Sequence, residues 1–327
     1  MYTYENLLED IAYLSYIGVD TGSIGKSALG LEIPYIHVGG YAGRQLIVTG
    51  GIHARENVTS LLVARQAFKA ALELESNKTG KAGYGESNTF CDVGAGGQKG
   101  GIYFLPMLNP DGAVLIELSS LLGKEGDEDS GLDAFEAKLD LYDLNHGDFW
   151  GRLQKAIKIN GGSRDFLLWK ANINGVDLNN NFDARFAAGA GQVGAPAPAG
   201  YHGGFAFSQP ETAALEKFTL SVAPAMTVSY HALGREVYWN FFQTGNSLSR
   251  DMAIAKKVAD TLGYKLIATD MDSSGGYKDW CVSALKIPAL TIEIIDEKHS
   301  HPLNLKVLDE DWAANMDLPK LLLEMDY

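Results

Sequence analysis

Gln45-Leu-Ile-Val-Thr-Gly50 runs directly into Gly51-Ile-His53-Ala-Arg55-Glu56, and a stretch with helical spacing opens at Val58. A β-rich run, a glycine pair and then a helix predict a buried strand that delivers its carboxyl end to a turn. Ligands of open α/β sheets gather beyond such strand ends, so His53 and Glu56 stand at a favoured place for chemistry. Three residues apart, they can both reach one small cation, as zinc sites built from two histidines and a glutamate require. A surface ion pair is the competing reading, because a chain with 7 histidines acquires one His-x-x-Glu easily by chance.

Outward from this stretch, Ile102–Leu108, Met226–His231 and Ala289–Ile295 are further runs of β-branched and aromatic residues, and an edge hairpin is expected near Leu31–Val38. Amphipathic segments alternate with them. Helices are predicted over Tyr4–Tyr16, Val58–Glu75, Met252–Leu262 and Leu318–Met325; in the second, Leu61, Leu62, Arg65, Phe68 and Leu72 recur at helical spacing. Ser208-Gln-Pro-Glu211 has the form of a capping box ahead of a further helix to Val222. The alternation predicts an α/β fold, a mostly buried sheet sandwiched between helices. Residues 118–164, which include the charged run Lys124-Glu-Gly-Asp-Glu-Asp, read as a surface insertion in a single domain spanning 1–327.

With 27 Lys and Arg against 41 Asp and Glu, the formal charge is −14, which repels nucleic acid and anionic membrane surfaces. No protein partner is expected either. Cys91 and Cys281 match no metal-binding spacing and read as free thiols. The opening residues have neither a basic region nor a long apolar run, and no apolar stretch nears the roughly 18 residues of a membrane span. Cytoplasmic residence is the resulting expectation.

Three further constellations bear on the chemistry. His231 ends the strand Thr227-Val-Ser-Tyr-His and alternates with its apolar residues, so it is either a third metal ligand or a hydrogen-bonded core histidine. Glu293 sits inside Ala289-Leu-Thr-Ile-Glu-Ile-Ile295, where a buried carboxylate is costly unless paired, protonated or near a metal. Such a glutamate suits a general base, and a half-exposed edge-strand residue is the alternative. Asp177, in Gly175-Val-Asp-Leu-Asn179-Asn180-Asn181, is a candidate to hold the second ring nitrogen of His53, and Asn179 offers an amide to a substrate; an ordinary turn explains the same residues.

The order of these motifs resembles the zinc metallocarboxypeptidase family of the carboxypeptidase A type. The likeness runs from Gly25-Lys-Ser-Ala-Leu-Gly, through Leu108-Asn-Pro-Asp-Gly112 and Tyr201-His-Gly-Gly-Phe-Ala-Phe-Ser208, to Thr291-Ile-Glu-Ile. It implies a mixed eight-stranded sheet, one catalytic Zn2+ and hydrolysis of an amide bond. It also implies that His53, Glu56 and His231 bind the metal, that Glu293 is the catalytic glutamate and that Asp177 orients His53. Lys170, in Trp169-Lys-Ala-Asn172, falls where many members carry an arginine that polarises the scissile carbonyl.

Two departures from the family concern substrate. Ordinary members have Asn-Arg where this chain has Asn179-Asn180, and that arginine clamps the substrate's terminal carboxylate; Arg185 is the cation placed to replace it. Lys278, in Ser274-Gly-Gly-Tyr-Lys278-Asp-Trp280, aligns with the floor of the specificity pocket and favours a substrate carboxylate, unless it is simply a surface lysine. Segment 169–179, Ser229-Tyr-His-Ala-Leu-Gly-Arg-Glu and Gly276-Tyr-Lys-Asp-Trp are most similar to the bacterial γ-D-glutamyl-diamino acid peptidases. That likeness implies a small anionic cell-wall (murein) peptide as substrate, with Arg55, Lys278 and Arg185 meeting its carboxylates. A carboxypeptidase for acidic C-terminal residues and a non-catalytic zinc-binding module of the same fold are the alternatives.

Overall fold

The computed structural model describes residues 1–78, 100–121, 132–268 and 273–326. Within these, one mixed sheet contains β1 (Asp20–Lys26), β2 (Glu32–Gly39), β3 (Gln45–Thr49), β4 (Gly101–Leu105), β5 (Met226–Ala232), β6 (Glu236–Tyr238), β7 (Lys265–Ile267) and β8 (Ala289–Ile294). Their spatial order is β1-β2-β4-β3-β5-β8-β6-β7, with β4, β3, β5 and β8 mutually parallel at the centre. Every residue of β3 and β5 is buried, as expected for strands covered on both faces. The expected α/β sandwich and its eight strands are therefore present.

The helices are α1 (Tyr4–Tyr16), α2 (Asn57–Lys78), α3 (Pro110–Leu121), α4 (Leu132–Leu141), α5 (His146–Ile159), α6 (Pro210–Val222), α7 (Gly245–Leu262), α8 (Tyr277–Trp280), α9 (Asp309–Asn315) and α10 (Leu318–Glu324). From β3 the chain runs through α2 to β4 on one side, whereas β5 lies on the other side of β3. The strand order thus reverses beside β3, and the carboxyl ends of β3 and β5 open there into a crevice.

Several elements differ from their sequence reading. Helix α2 buries Val58, Leu62, Val63, Ala67, Ala70 and Ala71 and leaves Leu72 half exposed, because its alanines let it lie close to the sheet. The capping box at Ser208 does not form: Gln209 is the N-cap residue, and Glu211 is turned inward to accept the Ala28 N–H at 3.2 Å. The strand from Ile102 stops at Leu105, where Pro106 lacks a ladder donor. The hairpin near Leu31 is β2 paired with the glycine-containing β1 upstream of it.

Residues 132–159 of the expected surface insertion carry two amphipathic helices whose Phe135, Leu139, Phe149, Leu153 and Ala156 are buried in a core shared with Leu7, Leu115 and Trp169. The run from Lys124 to Asp129, like Cys91, lies outside the described residues. Cys281 is a free, buried thiol whose pKa burial pushes up to about 12. Among the described residues no helix is long and apolar enough to cross a membrane.

Candidate metal centre

After β3 the backbone turns at Gly51, whose φ is +61° and where a Cβ would come within 2.3 Å of the Ser60 Oγ; only glycine lets the turn sit this closely on α2. The Gly51 N–H donates to Thr59 Oγ1 at 2.9 Å, and that hydroxyl donates to the Glu56 carbonyl at 2.7 Å. The turn is thus closed on itself, with His53 and Glu56 facing the end of β5.

There, His53 Nδ1 lies 3.0 Å from Glu56 Oε1, and His231 Nδ1 lies 3.2 Å from His53 Nδ1 and 3.4 Å from Glu56 Oε2. All three side chains are buried. Two imidazole nitrogens and two carboxylate oxygens held this close, away from water, form a set of donors that a cation would stabilise. Tetrahedral zinc with nitrogen ligands at 2.0–2.1 Å separates its donors by about 3.3 Å, so the His53 to His231 spacing fits that ion. These three are the group among the described residues arranged to hold a metal.

The surroundings are consistent with that use. His53 Nε2 lies 3.2 Å from Asp177 Oδ1, while Asp177 Oδ2 accepts the Gly200 N–H at 3.1 Å and lies 3.5 Å from Lys170 Nζ. Burial works to raise the Asp177 pKa, but Lys170 and His53 hold it well below the ordinary carboxylate range. Glu56 Oε2 also accepts the Ala232 N–H at 3.2 Å. Asn109 fastens the two sides together, its amide donating to the carbonyls of Ile52 and Ala171 at 3.2 and 3.0 Å.

Glu293 is the partner of His231 in the parallel register of β5 and β8. Burial raises its pKa to about 7, with Glu56 adding to the rise and His231 and Lys170 opposing it. A carboxyl balanced near neutrality can both accept and release a proton. Arg55, half-buried between His53 and Glu56 in the turn, forms no ion pair among the described residues and acts electrostatically on Lys170 and His301.

Asn179, Asn180, Arg185 and Lys278 belong to a neighbouring region built around Ser274–Gly276. Asn179 Oδ1 accepts the Tyr277 N–H at 3.1 Å, and Gly275 packs against the Asn180 backbone, where a Cβ would meet its carbonyl at 2.6 Å. Arg185 lies 4.8 Å over the Phe242 ring. Lys278 is buried, not a surface lysine; it donates to the Asn240 carbonyl at 2.9 Å and is ion-paired with Asp279. The pairing with Asp279 is not evident in the sequence, because side chains adjacent in a helix ordinarily diverge.

His301 is also absent from the residues singled out in the sequence. Its Nε2 lies 3.2 Å from the Ala232 carbonyl, so that nitrogen carries the proton, and its Nδ1 is buried without a hydrogen-bond partner. Nothing in its local sequence marks it, since it reaches the centre through the loop that follows β8.

A curated relative from Lysinibacillus sphaericus, gamma-D-glutamyl-L-diamino acid endopeptidase 1, is 29% identical over 296 residues, 90% of this chain. The chain spans 65% of that relative's length. Among solved structures, carboxypeptidase A from Helicoverpa armigera superposes with a TM-score of 0.62 at 17% identity, covering 97% of this chain and 74% of its own. Murein-tripeptide amidase MpaA from Escherichia coli O157 superposes with a TM-score of 0.50 at 16% identity, covering 94% and 92%. The family profile for zinc carboxypeptidase matches residues 4–318, and this chain, with its His-Glu-His centre, belongs to that family of metallopeptidases.

Proposed function

We propose that residues 1–327 form one zinc peptidase domain, and that the protein hydrolyses the γ-D-glutamyl-diamino acid amide bond of cell-wall (murein) peptides. One observation carries the choice of substrate: residue 180 is asparagine, a neutral amide where ordinary family members clamp a free peptide C-terminus with a guanidinium. The name of the Lysinibacillus relative supports the same bond. The alternative, a carboxypeptidase for acidic C-terminal residues with Lys278 reading the side chain, has no such support from a relative.

In this reading His53, Glu56 and His231 hold one zinc ion, which when bound polarises the amide carbonyl and acidifies a water molecule. Asp177 keeps the proton of His53 on Nε2 and so turns the Nδ1 lone pair toward the ion. The Glu293 carboxylate accepts the proton of the attacking water and returns it to the leaving nitrogen, a cycle suited to a pKa near neutrality. Lys170 places its ammonium on the rim as a point charge for the developing oxyanion. Arg55 meets a substrate carboxylate beside the centre, while Asn179, Asn180, Arg185 and the Lys278–Asp279 pair shape the neighbouring subsite.

The test is mass spectrometry of products from L-Ala-γ-D-Glu-diaminopimelate, with and without a following D-Ala, incubated with the zinc-loaded protein. Release of L-Ala-D-Glu is the expected result. Cleavage confined to ordinary α-peptides ending in Glu or Asp would overturn the assignment.

A further inference from the structure

We propose that a cleft between α5 and the loops at 173–174 and 196 is a second ligand site, one that takes a short acidic peptide. Its volume of about 820 Å³ falls in the range of small-molecule sites, and none of its lining belongs to the metal centre. Arg152, Lys155 and Lys158 line it from α5, and their spacing of three residues sets them along one flank of the helix. Arg152 is held in place, its Nε donating to Asp148 at 2.9 Å and its Nη1 to Asn174 Oδ1 at 3.1 Å. Lys155 and Lys158 are exposed and have no ion-pair partner among the described residues. Three cations against the single carboxylate of Asp148 make this a positive site on a chain whose net charge is −14.

Gly151 adds an independent observation. It lies in the interior of α5, where glycine is the least helix-favouring residue after proline, and nothing approaches within 4 Å of the Cβ it lacks. Packing therefore gives no reason for glycine here, and its effect is to leave the cleft floor bare. Ile159, Ile173 and Pro196 provide an apolar wall. Cations beside an apolar wall match a ligand with separated carboxylates on an aliphatic frame; a compact phosphate would leave the wall unused. The acidic-peptide class rests on the proposed function, whose substrate has this chemistry. Ile173 and Asn174 also belong to the loop between Lys170 and Asp177, so a bound peptide would rest against the segment that supports the metal centre.

Zinc-loaded Glu293→Gln protein, titrated calorimetrically with L-Ala-γ-D-Glu-diaminopimelate, tests this. Two molecules per chain are expected, falling to one in a further Gly151→Leu variant, which fills the floor with a good helix former, and in a Lys155→Glu/Lys158→Glu variant. The Gly151→Leu change in the otherwise native enzyme should leave turnover of the tripeptide within about twofold. Binding of the tripeptide that Gly151→Leu leaves unchanged, whether at one site or at two, would overturn the inference. So would a cleft that binds tripolyphosphate and refuses the tripeptide. If native enzyme fails to cut the tripeptide while the Gly151-dependent site still binds it, the proposed function falls and the cleft stands.

Discussion

His53 Nε2 stands 3.2 Å from Asp177 Oδ1, while the other ring nitrogen, Nδ1, is turned toward Glu56 and His231. With the proton on Nε2, Nδ1 presents its lone pair to the centre. Replacing Asp177 with alanine should free the ring to change tautomer and leave Lys170 and the Gly200 N–H without their shared acceptor. Outer partners of this kind typically contribute 10–100-fold in metal affinity. Competition against a fluorescent zinc chelator should show a loss in that range for Asp177→Ala, and unchanged affinity would remove Asp177 from the role.

Glu293 gives a kinetic prediction with a definite sign. A general base works as the carboxylate, and burial raises its pKa to about 7, so kcat/KM should rise with pH through that region and level off above it. Glu293→Gln should bind zinc as before, lose roughly 10²- to 10⁴-fold in kcat, and no longer show that limb. A variant with the rising limb intact would mean that another group titrates.

Lys278 and Asp279 are both nearly inaccessible and satisfy one another. Removing one partner of a buried ion pair strands the other charge, at a typical cost of about 3–5 kcal/mol, whereas removing both is often neutral. Lys278→Met alone should lower the melting temperature markedly, and Lys278→Met with Asp279→Asn should recover most of the loss. If the single variant melts normally and instead raises KM for the tripeptide, Lys278 reads substrate directly.

What the sequence shows and what it hides follow from the range of each signal. The ends of β3 and β5 were legible because the β-rich runs Leu46-Ile-Val-Thr49 and Met226-Thr-Val-Ser-Tyr230 precede His53 and His231, and both strands are covered on two faces. Helix α3 gave no period, since Pro110 through Ser119 are all buried and a helix enclosed on every side has no polar face to alternate with. Strands β6 and β7 have three residues each, too few to show alternation. His301 and the Lys278–Asp279 pair are matters of tertiary approach, and Glu211 was read from its neighbours in sequence although its partners lie 39 and 183 residues away.

That buried glutamate supports the last prediction. Glu211 and Asp111 sit together beneath the β1–β2 turn, where Asp111 Oδ2 accepts the Leu29 N–H at 2.9 Å and Glu211 Oε1 accepts that of Ala28. Burial, followed by the charge of Glu211, raises the Asp111 pKa well above its ordinary value, and burial raises that of Glu211. Because the folded-state values lie above the unfolded ones, the pair's contribution to stability is complete below about pH 4 and declines as pH rises through the folded-state pKa. Each unit of upward shift corresponds to about 1.4 kcal/mol. Asp111→Asn retains an acceptor for Leu29 and adds a permanent donor toward Glu211. At fixed zinc, its melting temperature relative to the native chain should therefore improve steadily from pH 5 to pH 8.5. A difference between the two proteins that does not vary over this range would show that the two carboxyl groups share no proton.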